Sequence, residues 1–336
     1  MLEQLQGFPT AASAWEADLL PTRIKDYSAH WLDEACRSGL CTWTRLATTA
    51  AASTLPSTPL VLLPRQWLGL WRSLTDTPSV DSLGPRAQRV HAALQAQGAL
   101  FFDELSREAH LLPSELEAAL QELVGAGLVN ADSFTGLRSL ITPAAKRSSR
   151  SSRRGYPSLS SSMVHAGRWA LLRGGGEAMD NDARMEHVAR SLLRRYGVMC
   201  WRLLERESDA LPPWRELLRC YHRLEARGEI RGGRFIAGLA GEQFALPEAV
   251  GLLRQVRRRT PDESLVMISA SDPLNLAGTL LPGAKVPAVA GNRLLYKDGV
   301  PVAARIAGKY QFWTEASVGE RQAWHQRLLR DVPTVV

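Results

Sequence analysis

Residues 212–230 form the stretch that most restricts what this chain can fold into. Their sequence is PPWRELLRCYHRLEARGEI, in which Trp214, Leu217, Tyr221 and Leu224 recur at the 3.6-residue spacing of a helix with one apolar face. Prolines precede this pattern and a glycine follows it, which are the usual signals for the start and the end of a helix. The stretch therefore predicts one amphipathic helix, followed by a short β-prone segment.

The opposite face of this helix is basic, since it carries Arg215, Arg219, His222 and Arg223. Two shorter helices are predicted ahead of it, at residues 184–196 and 200–207. The segment after it, IRGGRFIAGLAGEQFAL, is predicted to be a hairpin. This order is typical of a winged helix-turn-helix, which offers its third helix and its wing to DNA.

The charge distribution supports the same interpretation. Residues 190–259 contain fifteen Arg, no Lys and eight Asp or Glu, so this segment alone carries the net charge of +7 of the whole chain. Guanidinium groups bind phosphate bidentately and stack on bases, although an arginine-rich face can also be merely solvated. Because helix, wing and following arginines agree, we predict DNA binding. The predicted contacts are basic residues of this segment and one tryptophan: Arg215, Arg219, His222, Arg223, Arg227, Arg231, Arg234, Arg257, Arg258 and Trp169.

Several chemistries are not expected from this sequence. The cysteines Cys36, Cys41, Cys200 and Cys220 have neither CxxC spacing nor a nearby histidine pair, so we predict no metal site, and no cofactor either. Because the chain has no GxxxxGK[ST] phosphate loop, we predict no ATPase activity. No apolar run reaches the roughly 18 residues that cross a bilayer, and we expect a cytoplasmic, nucleoid-associated protein without a membrane partner.

The expected fold class is α+β, with tandem winged-helix domains followed by a small β-barrel. Five segments are expected: a degenerate winged helix at 1–80, a second winged helix at 81–144, a flexible basic Ser/Arg loop at 145–165, the basic winged helix at 166–250, and the barrel with a closing helix at 251–336. The strand GRWALL, at the start of the fourth segment, is expected to be shared with the barrel. Its Trp169 is either a core residue or a platform for a base.

The second winged helix differs from the basic one in charge. Its helices are predicted at 85–94, 102–109 and 113–126, with a wing at 128–141. The exposed face of its third helix carries Glu115, Glu117 and Glu122 and would repel phosphate. We therefore predict that this copy packs against protein or faces a partner.

Several segments together resemble one family. They are LQGFPTAASAWEADLLPTRIKDY, ELVGAGLVNADSFTGLRSL, RYGV, SASDPLNLAGTLLPG and, most specifically, residues 214–250. The chain resembles the large helicase-related (Lhr) family of bacterial DNA repair helicases, in which two motor domains precede a winged helix and a β-barrel-containing domain. The resemblance implies a region that follows the motor, in a protein whose motor is a partner of this chain, and the additional winged-helix copies favour the C-terminal extension of long members.

The predicted architecture is also similar to that of winged-helix DNA glycosylases that excise alkylated or crosslinked bases. These enzymes use a Gln-x-Gln or Gln-x-Asp motif, and the nearest string here is Ala270-Ser271-Asp272, whose first position departs from the pattern. Asp272 is either a catalytic carboxylate or the cap of a turn, and Asp331 is a second catalytic candidate near the end of the printed sequence.

Three functions thus remain open from the sequence. The first is a DNA-binding module of an Lhr-type helicase, which holds single-stranded or branched DNA by phosphate contacts. The second is a DNA glycosylase acting on uracil or an alkylated base through Asp272 or Asp331. The third is a platform for homo-oligomers, for which the acidic copy would serve.

Overall fold

Three small antiparallel sheets repeat one strand order along the chain. The structure is a computed structural model that describes residues 1–46, 55–76, 78–142, 163, 166–172, 180–281 and 283–329. In each of the three sheets the strand that comes last in sequence lies between the other two. This is the sheet of a winged helix, in which the strand before the second helix joins the edge of the wing hairpin.

The first copy contains little regular α-helix. Its elements are α1 (Leu2–Leu5), β1 (Thr10–Ala11), a π-helix (Trp15–Leu19), α2 (Ala29–Arg37), β2 (Cys41–Thr44) and β3 (Pro59–Pro64), and α3 (Leu68–Arg72) follows them. Every residue of β3 is apolar, because other parts of the protein cover both faces of this strand. Leu60 and Leu62 belong to a core shared with the second copy, whereas Val61 and Leu63 belong to the core of the basic copy.

The second copy corrects two predictions. Its elements are α4 (Pro85–Gln97), β4 (Leu100–Phe101), α5 (Phe102–Glu108), α6 (Pro113–Gly125), β5 (Val129–Ala131), α7 (Phe134–Ile141) and β6 (Arg168–Leu171). The wing expected at 128–141 contains helix α7, and β6 supplies its second strand by pairing with β4 and β5. The prediction that this strand is shared with a barrel is therefore wrong. The basic loop expected at 145–165 lies outside the described residues except for Met163.

The basic copy agrees closely with the predicted helices. Its elements are α8 (Asn181–Tyr196), β7 (Val198–Met199), a 3-10 helix (Trp201–Arg206), α9 (Trp214–Ala226), β8 (Arg231–Gly233) and β9 (Gln243–Ala245). Helix α8 packs across α9, and the aliphatic and aromatic side chains between them form one core with Trp71 and Leu70 of α3. The arginine-rich helix is thus supported on its apolar side by two other elements.

The C-terminal part is an open sheet. Its elements are α10 (Pro247–Arg258), β10 (Leu265–Ser269), β11 (Arg293–Lys297), β12 (Val300–Ile306), β13 (Lys309–Phe312) and α11 (Val318–Leu329). The four strands pair only in sequence order, so β10 and β13 remain the two edges and the described residues form no closed barrel. Trp324 and Leu328 of α11 pack on Met267, Leu295 and Val302, and this helix covers the face that closure of a barrel would bury.

Candidate nucleic-acid interface

Helix α9 packs on the protein core by one face. Leu217, Cys220, Tyr221 and Leu224 are buried at the spacing that the sequence predicts. The Tyr221 ring stacks on Phe244 of β9 with 5.3 Å between ring centroids, and its hydroxyl donates to the Ala189 carbonyl of α8 at 3.3 Å. The remaining face of the helix is therefore held towards solvent.

The arginines on that face fall into two groups. Arg215 and Arg219, one helical turn apart, are exposed, and within the described residues neither has a carboxylate partner. Arg223 instead lies 3.3 Å from Asp182, and Arg227 lies 2.6 Å from Glu186 and 2.9 Å from Glu229. Since a paired guanidinium must leave its carboxylate before it can bind phosphate, Arg215 and Arg219 are the better placed of the four.

The paired group forms a network with helix α8. Arg190 of α8 contacts Glu186 at 2.7 Å and also pairs with Glu229, so two carboxylates are shared between Arg190 and Arg227. Burial raises the pKa of Glu186, but the hydrogen bonds from Arg227 and Arg190 outweigh burial and leave its pKa lowered overall. The network therefore stays charged at neutral pH, and it orients α9 against α8.

The wing is organised by one buried amide. The side chain of Gln243 accepts from the backbone N–H groups of Phe235 and Ile236, both at 2.8 Å, and donates to the Ile236 carbonyl at 3.1 Å. At its base, Gly232 donates to Glu225 of α9 at 2.9 Å, where a Cβ at Gly232 would lie 2.4 Å from the same carboxylate oxygen. The wing is thus a structured segment beside α9.

The other predicted basic contacts also lie at the surface. Arg231 and Arg234 of the wing and Arg257 and Arg258 of α10 are exposed, without carboxylate partners in the described part of the chain. His222 is different, because its Nε2 lies 2.9 Å from the carboxylate of Glu242. The structure therefore brings Arg231 and Arg234 next to α9, whereas Arg257 and Arg258 stand on a separate helix none of whose residues is buried.

Trp169 does not belong to this surface. Its side chain is fully buried on β6, with its ring edge-to-face against Trp43 of the first copy at 6.4 Å between centroids. A base can stack only on an accessible ring face, so the prediction of a DNA contact here is wrong and the core alternative applies. The sequence missed an exposed ring instead: Trp201, which follows β7 and precedes Arg202.

Asp272 occupies a structural position. Its carboxylate is buried, lies 2.7 Å from Arg23 of the first copy and accepts from the Leu274 backbone N–H at 2.9 Å, as a turn cap does. Arg206 donates to its backbone carbonyl at 3.2 Å. A carboxylate with these partners is not free to face a reacting sugar. The second candidate, Asp331, lies outside the described residues.

The acidic helix α6 uses part of its charge locally. Glu115 pairs with Arg86 at 2.9 Å and accepts from the Leu112 backbone N–H, and Glu122 accepts from that of Gly84.

No three His, Cys, Asp or Glu side chains come together as a metal site in the described ranges. Nor does any helix within them have the length and apolarity that a bilayer span requires.

Comparisons with known proteins identify two of the three winged-helix copies. Residues 1–65 match the family model of the third "Large helicase-related protein, winged-helix domain", and residues 178–265 match that of the fourth. The chain is 30% identical over 320 residues to the "Lhr helicase/uracil glycosylase" of Escherichia coli (strain K12), covering 86% of this chain and 20% of that protein. It is 28% identical over 307 residues to the "Lhr helicase/ probable uracil glycosylase" of Mycolicibacterium smegmatis, covering 84% of this chain and 19% of that protein. The chain thus spans about a fifth of the length of these curated relatives.

Proposed function

The chain is related, over most of its length, to the C-terminal region of large helicase-related (Lhr) proteins, and on that basis we propose that it grips single-stranded or branched DNA for a helicase motor. The grip is made by the exposed arginines of α9 and by the wing that follows it. We expect most of the contacts to go to phosphate groups. Since phosphates are the same in every DNA strand, the chain should bind strands of many different sequences. The motor that this module serves belongs to the same parent protein.

One observation carries this proposal. Arg215 and Arg219 stand one helical turn apart on the exposed face of a rigidly supported third helix, and within the described residues no carboxylate, that of the neighbouring Glu216 included, forms an ion pair with either. Two exposed guanidinium groups without an ion-pair partner cost the folded protein little free energy. Because they are like charges on one helix face, however, they contribute no stabilising interaction until an anion binds beside them. Arg231 and Arg234 extend the same positive surface into the wing. A polyanionic strand is the ligand that suits this arrangement.

The test compares two double variants with the same change in net charge. Arg215→Gln with Arg219→Gln removes the proposed contacts, and Arg86→Gln with Arg89→Gln removes two arginines from α4 of the acidic copy. Binding to a labelled single strand is measured against salt concentration. We expect the first variant to lower the slope of log K against log salt by about 1.4, because each single-strand phosphate contact contributes about 0.7.

The control variant should keep the wild-type slope. An unchanged slope and affinity in the α9 variant, or an equal loss in the α4 control, would contradict the proposed surface. The variant Arg223→Gln with Arg227→Gln adds a further comparison. These arginines are paired with Asp182, Glu186 and Glu229, so we expect a smaller loss of affinity than for Arg215 and Arg219.

A second candidate function is excision of uracil from DNA. Both relatives are named as a uracil glycosylase or a probable one, and this observation favours the second function. The test incubates the chain with a uracil-containing single strand and cleaves the resulting abasic sites with alkali. Loss of cleavage in Asp331→Asn, with activity kept in Asp272→Asn, would assign the carboxylate; no cleavage by the wild-type chain would leave DNA binding as its function.

A further inference from the structure

Trp201 and Trp31 are the two exposed tryptophans of the described residues, and Trp201 is the one that lies in the basic copy. Trp15, Trp43, Trp71 and Trp169 are fully buried, whereas Trp201 is 40% exposed although it lies inside the basic copy. It is the first residue of the 3-10 helix that follows β7. A large aromatic side chain that keeps this much ring surface in water is available to a ligand.

The ring is held in one orientation by the wing. Its Nε1 donates to the Ala240 carbonyl at 3.2 Å. The next residue, Gly241, has φ +91°, and a Cβ placed there would lie 3.5 Å from the Cδ1 atom of the indole. The pyrrole edge is thus held against the wing, while the residue as a whole keeps 40% of its surface exposed. Because the ring is already ordered, a ligand that stacks on it loses little conformational freedom in the protein.

Residues 240–242 of the wing link the ring to the basic helix. Gly241 is followed by Glu242, whose carboxylate lies 2.9 Å from His222 of α9, and His222 is three residues from Arg219 on the same helix face. Residues 240–242 therefore lie between the indole and His222, which stands on the helix that carries the exposed arginines. The guanidinium of Arg202 lies over the Trp201 ring, 5.5 Å from its centroid, and donates to the Thr279 carbonyl at 3.4 Å, so the indole already has one planar cation as a neighbour.

We infer that Trp201 is a stacking platform for an unpaired base of the strand whose phosphates Arg215 and Arg219 hold. This inference rests on the proposed function and refines its ligand. An aromatic platform accepts any base, since every base has a π face, but it can receive only a base that is not already stacked inside a duplex. Trp201 thereby gives the module a preference for single-stranded over double-stranded DNA, which phosphate contacts alone do not provide.

The experiment uses three ligands of equal length: a thymidine single strand, the same backbone with abasic sites in place of every base, and a duplex. We expect Trp201→Ala to weaken binding of the thymidine strand by about 5- to 150-fold, the range found for loss of one stacked base. Binding of the abasic strand and the duplex should stay unchanged, which also reports that the variant is folded. Trp201→Phe, which keeps a stacking ring, should retain most of the affinity for thymidine.

A matched control is Trp31→Ala, since Trp31 is 47% exposed on α2, which belongs to the first copy and not to the basic one. It should bind all three ligands as the wild type does. Equal losses by Trp201→Ala on all three ligands, or no loss on the thymidine strand, would overturn the platform. If Arg215→Gln with Arg219→Gln weakens all three ligands while Trp201→Ala weakens none, only the platform fails. A wild-type chain that binds none of them removes the proposed function as well.

Discussion

Gln6 is a single buried residue that joins two of the winged-helix copies. Its Oε1 accepts from the indole N–H of Trp71 at 3.2 Å and from Nε2 of His187 at 2.9 Å, so the Nε2 atom of His187 carries a proton. The His187 ring packs on Trp67, with 4.0 Å between ring centroids. Burial, helped by the charge of Arg194 and opposed by that of Glu3, lowers the pKa of His187 to about 4.

This shift predicts a pH dependence of stability. Between pH 6.5 and about 4 the unfolded chain takes up a proton on His187 that the folded chain does not, so the free energy of unfolding falls as pH falls through this window. Above pH 6.5 the contribution is fully present. Urea unfolding at several pH values should give a weaker decline for His187→Gln than for the wild type. The exposed His30→Gln should follow the wild type, and parallel curves for all three proteins would refute the assignment.

At the scale of elements, one buried arginine attaches helix α8 both to Glu207 and to the first residues of the chain. The side chains of Arg195 and Glu207 are 0% and 1% exposed, and they pair with each other. Arg195 also donates to the backbone carbonyls of Gln4, at 3.3 Å, and of Gln6, and Tyr196 donates to Glu207 at 2.7 Å. Burial, followed by the charge of Glu207, raises the pKa of Tyr196, so its hydroxyl remains a donor. These bonds fix the helix that supports α9.

Removal of one member of this pair should be costly. Glu207→Ala leaves the Arg195 guanidinium buried without a countercharge, and we expect a loss of about 3–5 kcal/mol in the free energy of unfolding measured with urea. Arg86→Ala, which breaks an exposed pair with Glu115, should cost less than about 1 kcal/mol. Replacing both buried partners by Met and Leu should cost less than Glu207→Ala alone. A loss below about 1 kcal/mol for Glu207→Ala would contradict this account.

At the scale of the whole molecule, two ion pairs connect the first copy with the C-terminal sheet. Arg293 of β11 lies 2.8 Å from Asp18, and Arg23 lies 2.7 Å from Asp272, although the partners are more than 200 residues apart in sequence. Asp18 also accepts from the Ser269 hydroxyl at 2.7 Å. All these side chains are largely buried, so the two ends of the chain are joined by charges that solvent screens weakly.

Loss of both carboxylates should uncouple the C-terminal sheet. We expect Asp18→Asn with Asp272→Asn to unfold in two calorimetric transitions, the lower from the C-terminal sheet, where the wild type unfolds in one. Glu205→Gln breaks an exposed contact between the basic copy and Lys285 and should leave the wild-type profile intact. If the double variant unfolded in a single transition at the wild-type temperature, the structural role of Asp272 would be contradicted.

The sequence by itself determined what depends on neighbours along the chain. The limits of α9, its buried Leu217 and Tyr221 and its exposed Arg215 follow from a 3.6-residue period bounded by proline and glycine, since a helix forms from local bonds. Charge counting likewise located the basic copy, and the winged-helix matches to Lhr proteins agree with it.

Tertiary structure decided everything that depends on partners distant in sequence. Strand β6 could equally have completed a barrel, and its pairing with β4 and β5 put Trp169 in the core. Carboxylates about 40 residues away occupy Arg223 and Arg227 but leave Arg215 exposed. The ion pair with Arg23 likewise makes Asp272, a catalytic candidate by sequence, a buried contact between two distant parts of the chain. Local periodicity gives the face on which a side chain lies, but not what will be packed against that face, because strand pairing and ion pairing are settled by the shape of the folded chain.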